Sequence, residues 1–507
     1  MNTINRYKRF VLSSVLCLSM VFSFSVSAAE APEITPETRY NMDIQSNSWE
    51  NWPAGPQIYA ESAIVMEAST GTILYSKNMD QQMQPASITK IMTVLLALEH
   101  LDMDEEVTFS HNAVYSIEND SSHIARDEGE ILTVEECLYA IMLESANECS
   151  NAIAEQVSGT VEAFADLMNQ KAAELGCTNT HFVNPHGLPD NDHYTSAHDM
   201  ALITQEAVKY EKFRQISGTQ RFNLRATNKK SEELPMSNHH LMISNNRSSK
   251  FIDDTVFAGK TGYTSIALNT LVTCATRNGM DLIVVTMKTQ STQELGVPLY
   301  PDTENLLNYA GENFHRVNIS ENETSFTIGQ GELFNTGSSV FGTTTPMIEM
   351  DASGYVILPV TAQLSDASPQ LQFQDADDSK VIATLSYLYS GQTIGSTNLL
   401  LADSNIQEFD FQKTDENGTG MTEGPEKDPQ SKVNLIKINL KVVTAATCSL
   451  LLILIFLLLI RKLAKNYEIE LNPVKRWKNR RASKYSFGNQ KHRKYRSRRR
   501  RRNKIRF

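Results

Sequence analysis

Cysteine is scarce in this chain of 507 residues, with only six in all. Cys17 and Cys448 fall in apolar runs near the two ends, which leaves Cys137, Cys149, Cys177 and Cys274 for the body. That rules out a small disulfide-stapled scaffold, and spacing alone assigns no pairing. No internal repeat is visible, so solenoids and propellers drop out. Negative charge is nearly absent from one region. Arg461 to Phe507 carries 20 Lys+Arg against 2 Asp+Glu, while the rest of the chain carries 27 against 57. The formal net charge of −12 therefore describes neither part. Such asymmetry points to a membrane or a nucleic acid at the basic end. With 41% hydrophobic and 21% charged residues, the chain can bury an ordinary globular core.

Long uncharged apolar runs occur only near the ends. Arg6, Lys8 and Arg9 precede the apolar stretch Phe10 to Val26, and Val26-Ser27-Ala28 supplies the small residues of a cleavage site, with Ala29 as an alternative. Residues 1–29 thus read as a secretory signal peptide. Val442 to Ile460 holds no charge and is long enough to span a bilayer. The Lys/Arg-rich tail that follows at once, 461–507, places the C-terminus in the cytoplasm by the positive-inside bias. The expectation is a single-pass protein of the cell membrane, with its body outside and anionic lipid against its basic tail.

Between these ends, residues 30–57 are polar, proline-bearing and aperiodic, and read as a spacer. Two apolar runs flanking Ser69-Thr70-Gly71 predict a β-hairpin. Pro85-Ala86-Ser87 opens ITKIMTVLLALE, which predicts a buried helix. Leu132 to Glu155 is helical in pattern but interrupted at Ser145-Ala146-Asn147, and Val161 to Leu175 is an amphipathic helix. Residues 255–287 are strand-rich, with a short buried strand from Leu282 to Met287. After about Gly311, short Val/Ile/Thr/Phe runs separated by Gly, Ser and Asp predict a separate β domain. The divisions expected are a main domain over 58–311, a β-rich domain over 312–411, and a low-complexity linker over 412–441.

Three short motifs follow in order: Ser87-Ile-Thr-Lys90, Ser145-Ala-Asn147 and Lys260-Thr261-Gly262. A Ser-x-Asn triplet alone is worthless, because Ser76-Lys-Asn78 and several others also fit. Ser-x-x-Lys occurs once, at the start of the buried helix. A serine hydroxyl is a poor nucleophile until a base takes its proton. Residues three apart share a helix face, so Lys90 can reach Ser87. A lysine acts as a base only when neutral, and burial beside a second positive charge, which Lys260 can supply, makes it so.

With its surroundings (GTILYSKN, PASITKIMT, SSHIARDEGE, MLESANECSNAIAE, NPHGLPDNDHYTSAHDMALI, GKTGYT), this trio resembles the serine-type, penicillin-binding D-alanyl-D-alanine carboxypeptidases from about Ala63 to Phe314. The resemblance implies an α/β (α+β) fold of the β-lactamase/transpeptidase kind: an antiparallel sheet with surrounding helices, then a smaller β-rich domain. To these the sequence adds the C-terminal transmembrane helix. It also implies a role for each motif residue. Ser87 attacks the carbonyl between the last two D-alanines of a peptidoglycan stem peptide, and Lys90 takes its proton. Ser145 relays a proton to the leaving group, and Asn147 holds the substrate amide. Lys260 and Thr261 face the terminal carboxylate. Gly262 admits the substrate, and the N–H groups of Ser87 and Tyr263 hold the oxyanion. β-Lactams would acylate Ser87. No cofactor is implied. The sequence departs from the family pattern in two places. Ala267-Leu268 stands where Ala-Gly is usual. No basic residue occurs from Thr289 to Pro301, where an arginine often helps bind the carboxylate, which leaves Lys288 or Arg277 as substitutes.

Rival readings are weaker. His186, Asp190, Asp192, His193, His198 and Asp199 crowd one loop and could hold zinc, as in a zinc-dependent D,D-peptidase that would share the substrate, but no pair sits at regular helical spacing. The arginine-rich end could bind nucleic acid, although behind a membrane span it orients the span instead. A β-lactamase would share the chemistry, but not the anchor and extra domain. A cell-wall-binding protein that has lost turnover is the non-enzyme alternative.

Overall fold

The computed structural model describes residues 34–401, apart from 119, 247, 294–295, 324–347 and 374–379. The stretch 1–29 read as a signal peptide, the linker expected over 412–441, the apolar run 442–460 and the basic tail 461–507 all lie outside the described residues. Among the described residues no helix is long and apolar enough to cross a membrane.

A one-turn helix α1 (Pro36–Tyr40) precedes the hairpin of β1 (Ser62–Glu67) and β2 (Ile73–Lys77). The helical half follows: α2 (Lys90–His100), β3 (Glu106–Thr108), α3 (His111–Tyr115), β4 (Ile131–Thr133), α4 (Val134–Tyr139), α5 (Asn147–Ser158), α6 (Val161–Glu174), α7 (Ala197–Ala207) and α8 (Glu211–Gly218). A small hairpin, β5 (Arg221–Leu224) and β6 (Leu234–Ser237), leads to three long strands, β7 (Val256–Thr264), β8 (Leu268–Arg277) and β9 (Met280–Thr289). Helix α9 (Leu299–Asn313) runs into β10 (Phe314–Asn318) and the short α10 (Ile319–Asn322). The rest is β11 (Ile348–Met350), β12 (Tyr355–Pro359), β13 (Ser368–Phe373), β14 (Val381–Tyr389) and β15 (Gln392–Leu401).

The main sheet is antiparallel in the order β2-β1-β9-β8-β7. Side chains alternate across a strand, and here both faces are covered. Ile64, Met66, Ile283, Val285 and Met287 join a core with the apolar residues of α2. Their neighbours Ala63, Val65, Leu282 and Val284 join a second core with α9. Two covered faces explain why β9 reads as an uninterrupted apolar run. Helix α2 is central. Every residue from Lys90 to Ala97 is buried, so tertiary packing holds it without a side-chain cap at its N-terminus.

The second sheet runs β10-β12-β15-β14-β13, with β11 also on β15. Its apolar side, with Val356, Leu358, Leu385, Tyr387 and Ile394, belongs to the same core as α9 and the outer face of the main sheet. The stretch 34–57, read from sequence as part of a spacer, is packed instead. Arg39 is buried and its Nε donates to Glu61 Oε2 at 3.0 Å. Trp52 is buried, donates from Nε1 to Leu74 O at 2.9 Å, and lies 5.2 Å from the Phe314 ring and 6.2 Å from that of Tyr389. The spacer reading failed because these contacts are long-range. A segment that packs through a few anchors shows no period.

Trp52 therefore joins the first strands to the second sheet. Trp52→Ala is expected to destabilise the fold by about 3–5 kcal/mol, measured as a lower chemical-denaturation midpoint. An unchanged midpoint would show that the two sheets do not depend on this anchor.

Candidate active site

Ser87 lies in a single 3₁₀ turn, Ala86–Thr89, that runs straight into α2. Ala86 takes φ 52°, a left-handed conformation rare outside glycine. The turn is held from several sides. Thr270 Oγ1 donates to Pro85 O at 2.8 Å, and Thr89 Oγ1 donates to Ala86 O at 2.9 Å. His193 closes the other side. Its Nδ1 accepts from Val183 N at 3.1 Å, so the proton sits on Nε2, which donates to Thr89 Oγ1 at 3.0 Å. Burial keeps that imidazole neutral, with its pKa lowered to about 3.

Lys90 is fully buried. Its Nζ lies 3.1 Å from Ser87 Oγ, 2.7 Å from Asn147 Oδ1 and 2.6 Å from His186 O. Burial, and then the charge of Lys260, lower its pKa well below the ordinary lysine value. A neutral amine has two N–H bonds and one lone pair. Two carbonyl oxygens, Asn147 Oδ1 and His186 O, can only accept, so they take both N–H donors. The lone pair is left for the Ser87 hydroxyl, which donates to it. This is the geometry in which an amine withdraws a proton from a serine.

Asn147 opens α5 directly after a π-type turn, Ala140–Glu144. The widened turn ends at Ser145, whose N–H reaches back to Ala140 O and whose φ is 61°. A non-glycine residue held there costs about 1–2 kcal/mol, and such bulges favour functional sites. The Ser145 hydroxyl oxygen is buried without a hydrogen-bond partner among the described residues. The sequence marked this break, but not its cause.

β7 is an edge strand of the main sheet. Near its start the open side is closed by Ser217 of α8, whose Oγ donates to Gly259 O at 2.9 Å and accepts from Gly259 N at 2.8 Å. Further along, Thr261, Gly262 and Tyr263 line the cleft beside Ser87. A Cβ built on Gly262 would stand 2.3 Å from Thr270 Oγ1 and 2.9 Å from Ser87 N. Any side chain there would collide with the N–H of the candidate nucleophile. Lys260 is buried, donates to Thr261 O at 2.9 Å, and has its pKa lowered to about 7 by burial, an effect that Glu144 opposes.

The cleft holds about 470 Å³ and is lined by Ser87, Ser145, Asn147, Thr261, Gly262 and Tyr263, six of the eight residues singled out from sequence. The other two, Lys90 and Lys260, lie buried behind it. Sequence reasoning missed Asp120, His239, Val297 and Tyr300, which also line it. No local pattern marks them, because only the fold brings their loops to the cleft. His239 Nε2 pairs with Glu144 Oε2 at 2.9 Å, and Glu144 Oε1 accepts from Ser237 N at 2.7 Å. The two basic residues considered as substitutes for the arginine are elsewhere. Lys288 pairs with Glu61 at 3.7 Å, Arg277 pairs with Asp253, and neither lines the cleft. Leu268, where glycine is usual, adopts φ 54°.

The histidine- and carboxylate-rich loop is a scaffold. His186 Nδ1 accepts from Leu188 N, His198 pairs with Asp80, and Asp199 accepts from Asn179 N and Thr180 Oγ1. Gly187, at φ 87°, lets this loop press on the nucleophile turn, since a Cβ there would lie 1.9 Å from Ala86 O.

A family model described as D-alanyl-D-alanine carboxypeptidase matches residues 50–291. The chain is 39% identical over 240 residues to D-alanyl-D-alanine carboxypeptidase DacF of Bacillus subtilis, covering 46% of this chain and 59% of that protein, less than two thirds of its length. It is 30% identical over 247 residues to D-alanyl-D-alanine carboxypeptidase DacB2 of Mycobacterium tuberculosis, covering 48% of this chain and 79% of that one. Among solved structures, the D-alanyl-D-alanine carboxypeptidase DacD of Francisella tularensis matches in fold with a TM-score of 0.50 at 22% identity, over 69% of this chain and 96% of that one.

The lysine pair gives a pH test. Lys260→Met removes the positive charge that lowers the Lys90 pKa, so Lys90 holds its proton to higher pH. The acidic limb of Ser87 modification by a fluorophosphonate probe should move to higher pH by about one unit. A limb that stays in place would separate Lys260 from the activation of Lys90.

Proposed function

Because the chain belongs to the D-alanyl-D-alanine carboxypeptidase family, we propose that it removes the terminal D-alanine from peptidoglycan stem pentapeptides through an acyl-enzyme on Ser87. The observation that carries this reading is the contact between Ser87 Oγ and the Nζ of the buried Lys90 at 3.1 Å.

In the proposed reaction the peptide lies along the open edge of β7, as an added strand would. Ser87 Oγ attacks the carbonyl between the two D-alanines while its proton passes to Lys90 Nζ. The oxygen that gains charge sits between the N–H groups of Ser87 and Tyr263, fixed dipoles that need no reorganisation. The C–N bond then breaks, and Ser145 Oγ gives its proton to the leaving amine and is reprotonated from Lys90. Asn147, its Oδ1 held by Lys90, has its Nδ2 to offer to the acyl-side amide. Lys260 and Thr261 take the terminal carboxylate, whose approach favours the charged form of Lys260. Water completes the cycle by hydrolysing the ester. β-Lactams would enter the same steps and leave slowly.

The same reading places the body outside the cell. Its support is in the sequence: the signal-like 1–29, the uncharged run 442–460 and the basic tail 461–507. Residues 442–460 would anchor the protein in the membrane, with the tail in the cytoplasm against anionic lipid.

Two experiments test these proposals. Purified protein should release D-alanine from diacetyl-Lys-D-Ala-D-Ala and take up labelled penicillin. Ser87→Ala should lose both, and Ser145→Ala should slow release by about 10²–10⁴-fold. Release that persists in Ser87→Ala would overturn the serine mechanism. For the anchor, a chain ending at residue 441 should leave the membrane fraction for the soluble one. Continued sedimentation with membranes would place the anchor elsewhere.

A further inference from the structure

The charges that reach the cleft are unevenly placed. Behind the β7 wall stands Lys260, whose Nζ donates to Thr261 O. Residues 120–122 also line the cleft, and Asp120 is the one carboxylate among its described lining residues. Its side chain is exposed, and no hydrogen bond or ion pair ties it down among the described residues. The wall itself is fixed to the second motif, since Asn147 N donates to Ser122 O at 3.0 Å. Two positions on, Ile124 N donates to Glu148 Oε1 at 2.7 Å. Asp120 is thus carried by a backbone anchored on both residues that follow Ala146.

A terminal carboxylate is repelled by Asp120 and attracted to Lys260, so it settles at the β7 end. The acyl side of the peptide then runs past the 120–122 wall. Opposed charges across one cleft match a ligand of the reverse polarity. We infer that Asp120 is a specificity residue for a free ammonium group on the acyl side of the substrate, so the preferred substrate is a peptide with a terminal carboxylate and an unblocked side-chain amine. The inference rests on the carboxypeptidase reading above and adds the substrate class to it.

An exposed charge pair contributes modestly, so the expected preference is about three- to ten-fold. It can be read as kcat/KM for acetyl-Lys-D-Ala-D-Ala with a free ε-amine against the diacetylated peptide, with most of the difference in KM. Ampicillin, which carries an ammonium on its acyl side, should acylate Ser87 faster than benzylpenicillin by a similar factor. Asp120→Asn should lower the free-amine peptide to the level of the acetylated one, Asp120→Glu should keep the preference, and added salt should weaken it. Equal rates for the two peptides in the unmodified protein, or a preference that survives Asp120→Asn, would overturn the inference while D-alanine release continued. Absence of release and of acylation by either penicillin would instead remove the reading on which it stands.

Discussion

The site depends on keeping one lysine uncharged. An ammonium group at Lys90 would have three donors and no lone pair for the Ser87 proton. The fold prevents this by burying Nζ completely, placing Lys260 where its charge opposes protonation, and supplying carbonyl acceptors for two N–H bonds only. Much of the surrounding structure serves that condition. The apolar packing of α2 excludes water from Lys90. His193 and Gly187 press the loop that carries His186 O against the nucleophile turn. Ala86 and Ser145 are held in left-handed conformations that isolated chains avoid.

A second constraint is the sheet edge. An unpaired strand is a hazard that folded proteins usually cover. Here Ser217 closes it at Gly259 and Lys260 Nζ donates to Thr261 O, while Thr261 to Tyr263, where the third motif lies, face the cleft. The residue required at the closest approach is glycine, because Gly262 passes the Ser87 N–H with no room for a Cβ. The edge and the lysine are coupled, since Lys260 on this strand is also the charge that lowers the pKa of Lys90.

Neither basic substitute considered for the usual arginine approaches the cleft. Arg277 and Lys288 are engaged with Asp253 and Glu61 on other parts of the sheet. The lining of the cleft includes His239, paired with Glu144, and Asp120. In the proposed reaction, binding of a carboxylate then falls to Lys260 and Thr261, with the inferred selectivity at the acyl side from Asp120.

What the sequence determined by itself was whatever is written in neighbouring residues. The three-residue spacing of Ser87 and Lys90, realised across a 3₁₀ turn that leads into α2, the break at Ser145-Ala146-Asn147, the hairpin around Gly71 and the apolar run of β9 are local, and each is present in the fold. What only the tertiary structure decided depends on distant contacts: the seating of residues 34–57 through Trp52 and Arg39, the π-type turn that aims Ser145, the placement of Asp120 and His239 in the cleft, and the burial that lowers the pKa of Lys90. The physical reason is the same in each case. Packing and electrostatic terms act through space between residues tens to hundreds of positions apart, and no local period records them.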